Sequence, residues 1–116
     1  MPNDSAGHTC AFDVIASDID HMGHVNNTVY LRWIQEAVIS FWHRIAPGDA
    51  LESVARVAIK HEITYRAPAF LDDTVLADVV ATGVQGSRAF FTTLIQRGDT
   101  VLAEVKSSWC CIDTDT

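Results

Sequence analysis

Between Thr28 and Ile45 runs a segment whose polar residues, Thr28, Arg32, Gln35, Glu36, His43 and Arg44, fall on one narrow stripe at helical spacing. The remainder of that helical circumference is Val29, Tyr30, Leu31, Trp33, Ile34, Ala37, Val38, Ile39, Phe41 and Trp42. A helix apolar on most of its surface must be wrapped by other structure, not merely laid on it. Asn26 and Asn27 stand where an N-cap is needed, and an Asn side chain can accept one of the N–H groups left free at a helix start. Pro47-Gly48-Asp49 supplies a stop signal.

What wraps the helix is legible in the change of period that follows it. From Val54 to Ala67 the sequence alternates, with Val57, Ile59, His61, Ile63 and Tyr65 expected on one face and Arg56, Lys60, Glu62, Thr64 and Arg66 on the other. Pro68 to Asp73 reads as a loop, Thr74 to Gly83 as a strand, and Gln85-Gly86-Ser87 as a turn into a strand from Arg88 to Arg97. Gly98-Asp99 suits a two-residue hairpin leading to a last strand from Thr100 to about Ile112. Ahead of the helix, Thr9 to Ser17 can form a first strand, and Met1 to His8 reads as a disordered lead-in. The expected fold class is therefore α+β: one long central helix of about 27 Å wrapped by a curved, five-stranded antiparallel sheet.

With 116 residues, 48% of them hydrophobic, the chain is expected to be a single domain spanning residues 1–116. The formal charge of -7 argues against nucleic acid or an anionic membrane as partner, since both call for a basic face. No apolar run reaches the length of a membrane span, and the first residues lack the order of a signal peptide, so a cytoplasmic protein is expected. Cys10, Cys110 and Cys111 are odd in number and form no Cys-x-x-Cys pair, which points to reduced thiols and away from common zinc patterns.

The chemistry is concentrated between Ser17 and Tyr30, where Asp18, Asp20, His21, Gly23, His24, Asn26 and Asn27 crowd in front of the helix. A helix start is the positive end of the macrodipole and offers N–H groups that can bind an anion or stabilise an oxyanion. A carboxylate beside it tends to stay ionised, which suits a base or nucleophile. Asp18-x-Asp20-x-Met22-Gly23 superficially opens a calcium loop, but Met22 occupies a ligand position and Val29 stands where the bidentate Glu belongs. A transition metal held by Asp18, Asp20, His21 and His24 is a minor alternative, and no metal or other cofactor is expected.

The string Asp18-x-Asp20-x-x-Gly23-His24-Val25-Asn26-Asn27-x-x-Tyr30 resembles the hotdog-fold acyl-CoA thioesterases of the 4-hydroxybenzoyl-CoA thioesterase type. Ile63-Thr64-Tyr65-Arg66-Ala67-Pro68, followed by Asp73, carries the likeness more weakly, and together it covers about residues 12 to 112. The resemblance implies hydrolysis of an acyl-CoA thioester at a homodimer interface, in a dimer or tetramer. It implies Asp20 as nucleophile or general base, the backbone N–H near Asn27 as oxyanion donor, Gly23 as a point of close backbone approach and His24 as the residue orienting substrate or water. Tyr30 falls within the motif and is counted with the substrate-binding residues. Plant-type acyl-carrier-protein thioesterases share the His-Val-Asn-Asn string but place an Asn where Met22 stands, so a mechanism using that side chain is not expected.

Each of these residues also has a plainer reading. Asp20 can be a turn or capping carboxylate, Asp18 a turn former, His21 a loop residue and His24 a packed histidine. Glu36, one turn after Arg32, suggests an intrahelical ion pair, although a second hotdog lineage uses a helix glutamate and makes it the alternative catalyst. His61 reads as a core histidine, and Trp33, Trp42 and Trp109 as core or acyl-pocket walls. Arg66 and Arg88 are candidates for coenzyme A phosphates because cations are scarce in this chain. The alternatives to an acyl-CoA hydrolase are an acyl-carrier-protein thioesterase and a non-catalytic acyl-CoA-binding or sensing module. A dehydratase of the same fold fits less well.

Overall fold

The computed structural model describes residues 7–45 and 54–113. Strand β1 (Gly7–Asp13) leads through a short 3-10 turn at Ala16–Asp18 to helix α1 (Asn27–Ile45). Four strands follow: β2 (Val54–Tyr65), β3 (Thr74–Gln85), β4 (Arg88–Arg97) and β5 (Thr100–Asp113). They form one antiparallel sheet in the order β1-β3-β4-β5-β2, so β1 and β2 are its edges. This is the expected helix and five-stranded antiparallel sheet. The stop signal at Pro47-Gly48-Asp49 and the lead-in before Gly7 lie outside the described residues.

The helix buries Val29, Tyr30, Trp33, Ile34, Ala37, Val38 and Phe41 against Val75, Ala77 and Val79 of β3, Phe91 and Ile95 of β4, and Val105 and Trp109 of β5. Leu31 and Ile39, each 37% exposed, widen the outward stripe beyond the polar residues named from the sequence. The wrapping is therefore one-sided within this chain.

Three local departures from the expected pattern shape the molecule. The first strand begins at Gly7, inside the segment expected to be disordered, and ends at Asp13; the residues that follow turn as a 3-10 helix. The second departure lies in β2, where Ala58 pairs with Trp109 and Lys60 with Ser108, so that Ile59 is an extra residue in a β-bulge. Inward positions therefore run Arg56, Ala58, then His61, Ile63, and the expectation that Val57 and Ile59 share the core face is overturned: they are 44% and 46% exposed. In the third, Leu102 is the extra residue of a second bulge, between the Ile95–Ala103 and Gln96–Val101 pairs. Its carbonyl accepts the N–H groups of both Arg66 (2.8 Å) and Ala67 (3.3 Å), which turns the chain leaving β2 toward the start of the helix.

Candidate active site

The chain between β1 and α1 is built by backbone hydrogen bonds before any side chain is considered. Ile19 bridges Val25, Asp20 N–H donates to the His24 carbonyl at 2.9 Å, and Gly23 N–H donates to the Asp20 carbonyl at 3.0 Å. A reversal this tight needs a left-handed residue, and Gly23 has φ +83°. Open space surrounds the position a Cβ would take, so the demand on Gly23 within this chain is for backbone conformation.

Asp18 is the buried anchor of this region, at 1% exposure. Its Oδ2 accepts the Ile15 N–H at 3.1 Å, its Oδ1 accepts Arg32 Nη2 at 3.2 Å, and its carbonyl accepts the Asn26 N–H at 2.8 Å. One residue thus ties the end of β1 to the first turns of the helix. Arg32 also approaches Glu36, at 4.0 Å, and Glu36 is exposed on the helix surface and absent from the cleft described below. The four residues that could have shared a metal are spoken for or apart: Asp18 is bound to Arg32, and no group of three His, Cys, Asp or Glu side chains is arranged around an ion site among the described residues.

Asn26 is the N-cap. Its Oδ1 accepts the Thr28 N–H and hydroxyl, both at 3.0 Å, and its carbonyl takes the Val29 N–H at 2.9 Å. Asn27 is the first helical residue, and its N–H has no acceptor among the described residues. That free donor points out of a helix start, where the macrodipole adds to it.

A cleft of about 530 Å³ opens at this point, lined by Asp20, His24, Val25, Asn26, Asn27 and Tyr30 on one side and by Tyr65, Arg66, Ala67 and Pro68 on the other. Asp20 lines the cleft and has Oδ1 occupied by the Met22 N–H at 2.9 Å, while Oδ2 has no hydrogen-bond partner among the described residues. Tyr30 is buried, with its ring edge-on to Trp33 (5.2 Å) and Tyr65 (5.3 Å). Burial pushes its phenol above the ordinary tyrosine value, and a hydrogen bond with the Ala69 backbone works the other way. Burial likewise raises the Tyr65 phenol. The His24 ring meets Phe70 edge-on at 5.5 Å.

The structure thus brings together Asp20, His24, Asn27, Tyr30 and Arg66 of the residues singled out in the sequence. Gly23 shapes the turn behind them. Among the described residues Arg66 is the one Lys or Arg lining the cleft, and it is paired with Glu104 across the sheet, both side chains half-exposed. Arg88 begins β4, opposite Cys110, at the end of the strand farthest from Arg97. Tyr65, Val25, Ala67 and Pro68 line the cleft without having been singled out for it; the signal available was Tyr65's place at the end of a strand, directly before Arg66.

The sequence profile of the thioesterase-like superfamily matches residues 14–116. No curated protein matches the chain. Among solved structures, a probable thioesterase from Bartonella henselae superimposes with a TM-score of 0.83 at 24% identity, over 93% of this chain and 91% of that one. Slr0204, a 1,4-dihydroxy-2-naphthoyl-CoA thioesterase from Synechocystis, gives 0.80 at 21% identity, over 92% and 82%. YbaW, a probable thioesterase from Escherichia coli, gives 0.79 at 24% identity, over 92% and 84%.

Proposed function

The chain belongs to the thioesterase-like superfamily, with the hotdog fold and as a thioester hydrolase, and from that premise we propose that it hydrolyses acyl-CoA thioesters in the cleft between Asp20 and Arg66. The observation that carries this reading is the pairing of a carboxylate, Asp20, with an unoccupied N–H at a helix start, that of Asn27, in one cleft. In the reaction, a water oxygen attacks the thioester carbonyl carbon while Asp20 takes the water's proton. The carbonyl oxygen becomes an oxyanion held by the Asn27 N–H, a donor of a kind that lowers such barriers by about 3 to 4 kcal/mol. Collapse breaks the C–S bond, and the coenzyme A thiolate leaves with the proton. In the covalent route Asp20 attacks the thioester carbonyl carbon itself, the C–S bond breaks and the coenzyme A thiolate leaves, and water then cleaves the mixed anhydride to the free acid and the Asp20 carboxylate. His24 orients the water or the acyl group, and Tyr30 and Tyr65 form an aromatic wall for it. Arg66 meets the phosphates of coenzyme A.

The proposal includes a homodimer, or a tetramer built from it. β2 is a 12-residue edge strand with Val57, Ile59 and Tyr65 exposed, and long apolar edges are normally covered. Arg88 lies roughly 30 Å along β4 from Arg97 and can meet a cleft of this kind only as a contribution from a second protomer. Light scattering at micromolar protein should give at least twice the monomer mass, and a monomer would overturn the assembly. Cys10 and Cys110 are unbridged, in keeping with the reducing, cytoplasmic setting that belongs to this proposal. No described helix is long and apolar enough to cross a membrane.

Purified protein offered aromatic and aliphatic acyl-CoA thioesters should release thiol. Asp20→Asn should lower kcat by about 10²- to 10⁴-fold while retaining affinity for a non-hydrolysable acyl-CoA. Asp18→Asn, the control, should cost far less in rate and show instead as lower thermal stability, because it weakens the bond between buried Asp18 and half-exposed Arg32. A parent that binds without hydrolysing would leave a sensing module; a dead Glu36→Gln beside an active Asp20→Asn would move catalysis to the helix.

A further inference from the structure

The cleft wall opposite Asp20 belongs to an irregular segment, residues 66–73, that has little regular structure of its own to hold it. It includes a buried Ala69 and, at Asp72, a non-glycine residue with φ +70°, a conformation that L residues adopt only under constraint. Part of the constraint is backbone: Val25 N–H donates to the Ala69 carbonyl at 2.9 Å, Val14 N–H to the Asp73 carbonyl at 3.0 Å and Asp72 N–H to the Val14 carbonyl at 3.3 Å. The side-chain part comes from Arg97, at the tip of the β4–β5 hairpin. Its Nη1 donates to the Asp73 carboxylate at 2.8 Å and to the Pro68 carbonyl at 3.1 Å, and its guanidinium lies 5.9 Å over the Phe70 ring. Asp73 Oδ2 also accepts the Phe70 N–H at 2.9 Å. Phe70 in turn meets the His24 imidazole edge-on.

We propose that Arg97 is a positioning residue for the cleft: by clamping Pro68, Phe70 and Asp73 it sets the wall at Pro68 and, through Phe70, the orientation of His24. This rests on the reading of the cleft as the hydrolytic site. Arg97 does not line the cleft itself, so its influence passes through the segment it holds. The geometry uses what is particular to a guanidinium: a planar cation that stacks on a ring while donating sideways to two acceptors, which the compact ammonium of lysine cannot do at once. Asp73 is matched to it. Burial alone would raise that carboxyl, but the Phe70 N–H and the Arg97 cation outweigh burial and hold it below the ordinary carboxylate value.

The test follows His24 and turnover together. In Arg97→Met, kcat should fall about 10-fold with KM for an acyl-CoA changed less than about twofold, the signature of misplacement without lost substrate contact. In the same variant the imidazole proton resonances of His24, which sense the ring current of Phe70, should move while those of His61 stay in place. Arg97→Lys should recover part of both. Arg97→Met added to Phe70→Ala should cost little beyond Phe70→Ala alone, because both act through one contact. If Arg97→Met does not fold, Asp73→Asn, which keeps the shape and removes the charge, carries the same expectations. Unmoved His24 resonances, or losses that multiply in the double variant, overturn the proposal. A His24→Ala variant that turns over at the parent rate would instead remove His24 from the reaction, with the clamp still read from the resonances.

Discussion

The two ends of the helix are held by different physics. At its start, Asp18, Asn26, Thr28 and the segment from Arg66 to Asp73 are fixed by short, directional hydrogen bonds, several of them to backbone. Toward its end ring contacts predominate, Phe41 on His8 (6.1 Å) and Phe91 (6.0 Å), Trp42 on Phe91 (5.1 Å) and Trp109 (5.5 Å), and His61 on Trp109 (5.9 Å), beside a hydrogen bond between His8 Nε2 and Ser40 Oγ (2.8 Å). That end even leaves Arg56 Nε, His61 Nε2 and Trp109 Nε1 buried without hydrogen-bond partners among the described residues. Hydrogen bonds fix the placement of particular atoms, whereas apolar packing supplies most of the stability and tolerates small shifts. Chemistry belongs at the first kind of end.

If that division holds, Phe41→Ala should produce the largest change in stability with the least change in chemistry. Phe41 is fully buried, and its truncation should cost about 3 to 5 kcal/mol. Rate per folded molecule, measured in the cold, should remain within about twofold of the parent, the reverse of Asp20→Asn. A loss of rate greater than the loss of folded protein would show that the two ends are coupled.

A smaller effect concerns pH. Burial holds the His61 imidazole below its ordinary value, and its Nδ1 is engaged with Ser107 Oγ at 2.7 Å. The unfolded chain then takes up that proton more readily than the folded one. Its contribution to stability is whole above about pH 6.5 and is lost as pH falls through the lower folded value. The melting temperature of the parent should therefore drop more steeply between about pH 6.5 and 5 than that of His61→Gln. Equal slopes would mean that the ring end contains no such proton-linked site.

The smallest expected effect is at the cleft mouth. Glu104 competes with any anionic ligand for Arg66, and exposed pairs are worth at most about 1 kcal/mol. Glu104→Gln should lower KM for an acyl-CoA by about two- to fivefold and steepen its salt dependence, while Arg66→Ala should raise KM. An uncharged acyl-pantetheine thioester should be indifferent to both. Equal changes for the two substrates would remove the phosphates from the explanation.

Much of this architecture is legible in the chain because it is periodic. The helix and the strands announce themselves by spacings of 3.6 and 2, and the polar string before the helix marks the cleft because capping and turn chemistry are local. Contacts between distant residues are another matter. That Asp18 is buried depends on Arg32, 14 residues on, and no local pattern separates it from Asp20. Arg97 reads as an ordinary strand-end charge until the hairpin brings it to Pro68 and Asp73. Tyr65 enters the cleft only because the Leu102 carbonyl bends the chain just after it.

The bulge at Ile59 carries a further consequence, one of parity. In a strand, removing one residue normally turns every later side chain inside out. Here the count runs inward at Ala58, outward at Ile59 and again at Lys60, and inward at His61. Taking out either member of the outward pair, Ile59 or Lys60, restores strict alternation without moving any other residue to the opposite face, whereas a deletion between Arg56 and Ala58 or between His61 and Ile63 would send residues on one side of it to the wrong face. The Ile59–Lys60 pair is thus the place where this edge strand can change length without changing its meaning, and a related chain one residue shorter in β2 is best aligned with its gap there.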